Sequence, residues 1–254
     1  MKYIIMNFGY CNLSVSPLRQ ENNDKSEMIS QLLFGESCTI LEKKSNWLKI
    51  SCTHDNYEAW IDEKHITYTK ELLESNYTVL ELVHNYVIKD IHVPILIGSS
   101  LPNFDGLNFI IDKQKYLYQG ITLENKIENI SKIYKIALKY LHAPYLWGGR
   151  SPFGIDCSGL TQNIYKFLNL RLPRDAYQQA EMGKVIGFIE ESRIGDLAFF
   201  GDEESITHVG MVLGENEIIH ASGKVRIDTL DHIGIYNKEI GKYTHKLRIV
   251  KRIV

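Results

Sequence analysis

The chain has no uninterrupted apolar run approaching the ~20 residues a membrane-spanning helix requires, so a helical membrane protein is excluded. It also lacks an excess of charge of either sign. With 29 basic and 31 acidic side chains the net charge is −2, which gives no footprint for nucleic acid or an anionic bilayer. Cysteine is sparse: Cys11, Cys38, Cys52 and Cys157 form no CxxC pair, and the first three lie far from the fourth. That spacing argues against a disulfide scaffold and for free thiols in a reduced compartment. The opening MKYIIMNFGYCNLSVSPL starts apolar, but Asn7 and Gly9 interrupt it, Lys2 is its one early basic residue, and no small-residue cleavage site follows. It reads as a first strand rather than a secretion signal. A cytoplasmic location is expected, with a trimmed mature form as the alternative.

What is present is an ordinary globular composition. The 254 residues, 44% hydrophobic and 24% charged, suffice for one large or two to three small domains with true cores. Two textures divide them. Up to about residue 125, short alternating segments such as TILEKK, NWLKIS, YEAWID, YVIKDI, VPILIG and KYLYQG are broken by polar turns, the pattern of small all-β barrels. The expected division is one barrel over 1–67 and a second over 68–125. Over 126–254 the expectation is an α+β domain. There ENISKIYKIALKYL sets Ile130, Ile133, Ala137 and Leu138 or Leu141 on one helical face before Pro144 stops the helix. A second helical stripe carries Cys157, Leu160, Ile164, Phe167 and Leu168, and GDLAFF, HVGMVL, EIIHAS and KLRIVKRIV read as strands.

Cys157 lies in SPFGIDCSGLTQNIY, where a glycine-containing loop gives way to that second helix. Unpaired N–H groups and the dipole at a helix N-terminus favour the thiolate and can receive an oxyanion. The competing reading is plain packing, since free cysteines are among the most buried residues. Partners decide between the two. His208 and His220 stand on successive strand segments, and a three-residue loop at Gly214-Glu215-Asn216 would put Gly210 opposite His220 and both imidazoles on one face. A two- or four-residue loop would put them on opposite faces. A zinc site from Cys157, His208 and His220 has the right ligand types but no local HExxH or CxxC spacing, so no metal or other cofactor is expected.

PYLWGGRSPFGIDCSGL (144–160), LPRDAYQQ (172–179), GDLAFF (195–200), THVGMVL (207–213) and IIHASG (218–223) together resemble the NlpC-type bacterial cell-wall cysteine peptidases, a trimmed papain-like fold. The resemblance implies Cys157 as nucleophile, His208 as general base and acid, and His220 as the orienting residue, acting on bonds made by the γ-carboxyl of D-glutamate in peptidoglycan peptides. SEMISQLLFGE (26–36), NWLKI (46–50) and YEAWID (57–62) are similar to the bacterial SH3-like barrel of γ-D-glutamyl-diamino-acid peptidases of the dipeptidyl-peptidase VI type, although Ala59 stands where glycine is usual. In that group the first barrel blocks one end of the cleft. Its Glu and Tyr, with the Asp before the nucleophile, hold the free amine of an N-terminal L-alanine. The matching residues are Glu27, or else Glu36, with Tyr57 and Asp156. Ser158, Tyr145, Trp147 and Asp175 are further candidates for lining the substrate site, though Trp147 fits a core position as well and Asp156 also reads as a helix N-cap.

The implied substrate is a free peptide, L-Ala-γ-D-Glu-diamino acid, consumed in cell-wall peptide recycling, with no nucleic acid partner. Two other readings stand beside it: an exported endopeptidase acting on intact wall, and a catalytically silent wall-binding module. The complete set of Cys157, His208 and His220 speaks against the last.

Overall fold

The computed structural model describes residues 7–111 and 113–254, so the first six residues of the expected initial strand lie outside it. The described part of that strand runs Phe8–Cys11. The chain divides into two compact units, one made of residues 1–126 with 147–152, the other of 127–146 with 153–254.

In the first unit a seven-stranded antiparallel sheet runs in the spatial order Met28–Leu33, Val15–Arg19, Glu58–Asp62, Trp47–Cys52, Ser37–Lys44, Phe8–Cys11, Ile66–Thr69. The alternation seen in TILEKK and NWLKIS becomes the alternation of a curled sheet, whose inward residues Cys11, Leu18, Leu32, Leu48, Ile50, Ala59 and Ile61 form one core. Ala59 is buried opposite Ile50, so the position that departs from the glycine pattern holds the next smallest side chain. A second β-body follows: four strands in the order Ile91–Leu96, Val83–Ile88, Gln114–Tyr118, Asn108–Ile111, with Tyr77–Val79 paired to Thr122–Glu124. Its core is rich in aromatic rings, and Tyr10 of the first sheet and Phe34, in the turn after Met28–Leu33, belong to it. Phe34 packs 5.0 Å from the Tyr86 ring and 5.7 Å from Phe109. The two β-bodies therefore share side chains. At their junction Gly35 has φ +77 and stands where a Cβ would lie 2.1 Å from the Ser100 carbonyl, which requires glycine.

The segment 147–152 also belongs to this unit and is fixed there by a buried ion pair. The Arg150 guanidinium donates to both carboxylate oxygens of Glu36, at 2.8 and 2.9 Å, and to the Gln31 carbonyl. The backbone N–H of Arg150 donates to Gln31 Oε1 at 2.7 Å.

The second unit is mostly β with short helices. The helical stripe expected before Pro144 is split: a 3₁₀ segment, Ile127–Lys132, precedes an α-helix of six residues, Ile133–Leu138. The main helix is Cys157–Lys166, followed by the short Ala176–Gln179. Seven antiparallel strands run in the order Lys184–Ile186, Lys242–Arg252, Leu197–Gly201, Ile206–Gly214, Glu217–Ser222, Lys224–Leu230, Gly234–Asn237. The eleven-residue strand Lys242–Arg252 also pairs with Gly234–Asn237, so six of the strands close on themselves and Lys184–Ile186 stays outside the closure as a short edge strand. Cys157–Lys166 packs against the strands that carry His208 and His220.

The hairpin between those strands differs from the expected three-residue loop. It turns at two residues, Glu215 and Asn216, with φ 45 and 63, as a two-residue hairpin turn of the I′ kind demands. A two-residue turn alone would part the imidazoles. A β-bulge between Val212 and Gly214 adds one residue on one strand and restores the phase, so Gly210 does stand opposite His220.

Candidate active site

Cys157 is the first residue of its helix, and Asp156 caps it: Oδ1 accepts from the Gly159 N–H at 2.7 Å. Arg174, itself buried, donates to both oxygens of Asp156, at 3.0 and 2.5 Å, and to Ser158 Oγ at 2.8 Å. The N-cap reading of Asp156 thus holds, and its charge is matched by a guanidinium. The thiol of Cys157 accepts from the backbone N–H of Val209, the residue after His208. Burial, then the charge of Asp156, pushes the thiol up to about 12, against the opposing pull of Val209, Arg174 and the Ser158 N–H. The helix terminus therefore does not hold a resting thiolate; desolvation outweighs it.

The histidines form a row. His208 Nε2 lies 2.9 Å from His220 Nδ1, and His220 Nε2 lies 3.0 Å from Asp228 Oδ2. Arg226 clamps the same carboxylate, with Nε 2.6 Å from Oδ2 and Nη2 2.9 Å from Oδ1. Burial would raise the Asp228 carboxyl, but the bonds from His220 and Arg226 outweigh it and hold it below its usual value. Burial, followed by the neighbouring His220 and His245, drives His208 well below an ordinary histidine, so it rests neutral. His245, unnoticed in the sequence, stacks on His208 with ring centroids 4.2 Å apart and planes 23° apart. Gly210 makes the row possible, because a Cβ there would meet Ile218 at 2.7 Å and the His220 Cβ at 3.0 Å.

The ligand atoms of His208, His220 and His245 lie within 4.8 Å of one another, a set with the types to hold a metal and with His245 in place of Cys157. Two features oppose coordination. The lone pairs of stacked rings run side by side rather than converging, and His208 Nε2 and His220 Nδ1 already face each other. The arrangement is a hydrogen-bonded row rather than a ligand cage.

Tyr145 belongs to this unit and is 37% exposed. Burial, and next the charge that Cys157 would carry as a thiolate and that of Asp156, push its phenol up to about 12, which places it in the electrostatic neighbourhood of both. Asp175 opens the short helix Ala176–Gln179, its N–H donating to Gln178 Oε1 at 3.2 Å. In the first unit Glu27 is exposed and accepts the indole N–H of Trp147 at 2.6 Å. Trp147 is 60% exposed, so the core reading for it is wrong. Tyr57 is half-buried at the turn before Glu58–Asp62. Glu36, the alternative to Glu27, is buried and spent on Arg150 and the Leu33 N–H; it is a structural residue. Asp228 and Arg226 were missed because VRIDTL reads as an unremarkable alternating strand, and nothing local ties it to His220.

Residues 142–246 match the NlpC/P60 family, and residues 18–66 match the bacterial dipeptidyl-peptidase SH3 domain. The chain carries an NlpC/P60 cysteine peptidase domain preceded by a bacterial SH3 domain. A Bacillus cereus relative named gamma-D-glutamyl-L-lysine dipeptidyl-peptidase is 26% identical, covering 77% of this chain and 68% of its own length. A Bacillus subtilis relative of the same name is 27% identical over 83% of this chain and 78% of its own. The crystal structure of an NlpC/P60 family protein from Bacillus cereus superposes with a TM-score of 0.81, covering 97% of this chain and 99% of that one at 21% identity, a likeness of fold. No helix among the described residues is long and apolar enough to cross a membrane.

Proposed function

We propose that this NlpC/P60 peptidase is a cysteine dipeptidyl-peptidase that releases L-Ala-γ-D-Glu from the diamino acid of free murein peptides. Its place would be cell-wall peptide recycling in the cytoplasm, and its second β-body is read as a further SH3-like barrel. The observation that carries the reading is the thiol at a helix N-terminus in the same unit as a histidine row in which His208 Nε2 and both nitrogens of His220 are already engaged. Cys157 is the nucleophile and His208 the base. Both rest neutral, so His208 Nδ1 takes the thiol proton as sulfur attacks the γ-carbonyl. The N–H groups at the helix start, with the Tyr145 phenol, receive the oxyanion. His208 returns the proton to the leaving amine, then activates the water that cleaves the thioester.

The names of the Bacillus relatives support lysine as the third residue. For the substrate's ammonium, the candidates Glu27, Tyr57 and Asp156 are not equivalent. Asp156 is already balanced by Arg174, whereas Glu27 is held by the neutral indole of Trp147. That contrast supports Glu27 as the charge that answers the ammonium, with Tyr57 as a directed acceptor and Ser158 and Asp175 as further proposed substrate contacts. The test is kcat/KM for L-Ala-γ-D-Glu-L-Lys and its N-acetylated form, in the unmutated protein and in Glu27→Gln. Acetylation removes the charge that Glu27 answers, and the expected loss is roughly a hundredfold or more. Glu27→Gln should weaken turnover of the free peptide and leave that of the acetylated one nearly unchanged. Equal values for both peptides in the unmutated protein would overturn the dipeptidyl-peptidase reading in favour of an endopeptidase.

A further inference from the structure

We infer that Asp228, clamped by Arg226, is the positioning residue that assigns the protons along the histidine row and leaves Nδ1 of His208 as the basic atom. The inference deepens the proposed mechanism and rests on its assignment of His208 as base. An ionised carboxylate can only accept, so His220 Nε2, at 3.0 Å from Asp228 Oδ2, must carry a hydrogen. A neutral imidazole has one N–H, which makes His220 Nδ1 a lone pair. His208 Nε2 stands 2.9 Å from that lone pair and must donate to it. The single proton of neutral His208 is then on Nε2, and its Nδ1 is the lone pair that can take a proton from sulfur. One carboxylate thus fixes two tautomers.

Without it the row can run backwards. His220 could carry its proton on Nδ1 and donate to His208 Nε2, which would shift the proton of His208 to Nδ1. A base with a hydrogen on its working nitrogen cannot deprotonate the thiol. Asp228 also matters after the transfer. The imidazolium of His208 then donates through Nε2 to a ring anchored on a buried negative charge.

Arg226 serves the carboxylate in the same direction. Its two bonds leave Asp228 ionised and hold its Oδ2 edge toward His220, while its other nitrogen reaches Glu239 at 3.1 Å. A carboxylate with no clamp could rotate away or take up a proton, and a protonated oxygen would donate to His220 and reverse the row. The rival account is a strand salt bridge, Arg226 to Asp228, that stabilises the sheet and has no part in the proton arrangement.

Two measurements separate these accounts. In the unmutated protein with ¹⁵N-labelled histidine, NMR should find the hydrogen on Nε2 in both His208 and His220 at neutral pH. A hydrogen on Nδ1 of either overturns the inference, whatever any variant does. In Asp228→Asn the amide can donate to His220 Nε2, so the tautomers should reverse. In that variant kcat should fall roughly a hundredfold with KM within about twofold, by analogy with the tautomer effect in triads. Arg226→Gln keeps the carboxylate, and should keep the tautomers with a smaller loss of kcat. A folded Asp228→Asn protein with unmutated kcat, or with reduced kcat and unchanged tautomers, would make Asp228 structural. If Cys157→Ala remained active the proposed mechanism would fall, while the NMR result on the row would stand by itself.

Discussion

The chain contains four buried, free thiols in two settings, and comparing them shows what makes one a candidate nucleophile. Cys11, Cys38 and Cys52 lie in the core of the first sheet; Cys38 and Cys52 face each other across adjacent strands, and the Cys11 thiol donates to the carbonyls of Leu13 and Leu32. Cys157 opens a helix in the other unit. Burial pushes Cys38 and Cys157 up to about 12 alike, so the charge state of the resting thiol does not distinguish them. What differs is company: a backbone N–H from the residue after a neutral histidine, the N–H groups of a helix start, and a row of imidazoles ending on a carboxylate. A peptidase thiol of this kind is marked by what can take its proton, not by having already lost it.

After loss of the thiol itself, the largest effect should come from removing that acceptor. His208→Ala should lower kcat by on the order of a thousandfold, because in the proposed mechanism His208 moves a proton in both half-reactions. His220→Ala should cost clearly less, since its proposed part is to orient its neighbour. A metal chelator such as 1,10-phenanthroline should leave the unmutated rate as it is. Equal losses in the two variants, together with inhibition by the chelator, would replace the hydrogen-bonded row with a metal site.

An intermediate effect is expected from pH. His208, the proposed base, has its protonation displaced well below the ordinary histidine range, first by burial and then by His220 and His245. The plateau of kcat/KM should therefore extend below the pH of about 6.5 where an unperturbed histidine titrates. Stability carries its own signature. His245 is lowered to about 4, chiefly by burial and then by His220, partly offset by Asp228. The unfolded chain takes that proton near 6.5 while the folded chain takes it near 4, so stability contributed by the neutral ring is present above 6.5 and lost as pH falls across that window. His245→Phe keeps a ring against His208 without a titrating group. It should flatten the acid loss of Tm and move the acid limb of kcat/KM toward neutrality. An acid limb near 6.5 in the unmutated protein, unmoved by His245→Phe, would contradict this arrangement.

Much of this was legible in the sequence, unevenly. The segments around Cys157, His208 and His220, with the glycines between them, were enough to specify the domain. The register that sets Gly210 opposite His220 was reached from an odd loop, whereas the structure reaches it from an even turn plus a bulge, and a bulge leaves no mark in an alternating pattern. Asp228 and His245 were illegible for a related reason. They meet His220 and His208 across strands and over a closing sheet edge, contacts that long-range pairing creates and local spacing does not encode. The helix stripe before Pro144 was read as one helix because its apolar period continues through Ile127–Lys132, where the backbone takes the tighter 3₁₀ form. Glu27 and Glu36 could not be told apart by residue type. What separates them is Arg150, 114 residues from Glu36, which engages its carboxylate in a buried ion pair.

The smallest expected effect is at the core thiols. Cys38→Ala removes a buried sulfur, and should cost about 1 kcal/mol of stability, with kcat unchanged within about twofold.

That variant is also the control for the most direct measurement, which sets Cys38→Ala beside Cys157→Ala on the free tripeptide L-Ala-γ-D-Glu-L-Lys. Both substitutions truncate a buried thiol with the same upward displacement, so resting thiol chemistry cannot explain a difference between them. The account predicts turnover close to that of the unmutated protein for Cys38→Ala. For Cys157→Ala it predicts none, in a protein that remains folded and still binds the peptide. Turnover by folded Cys157→Ala within tenfold of the unmutated rate would contradict it.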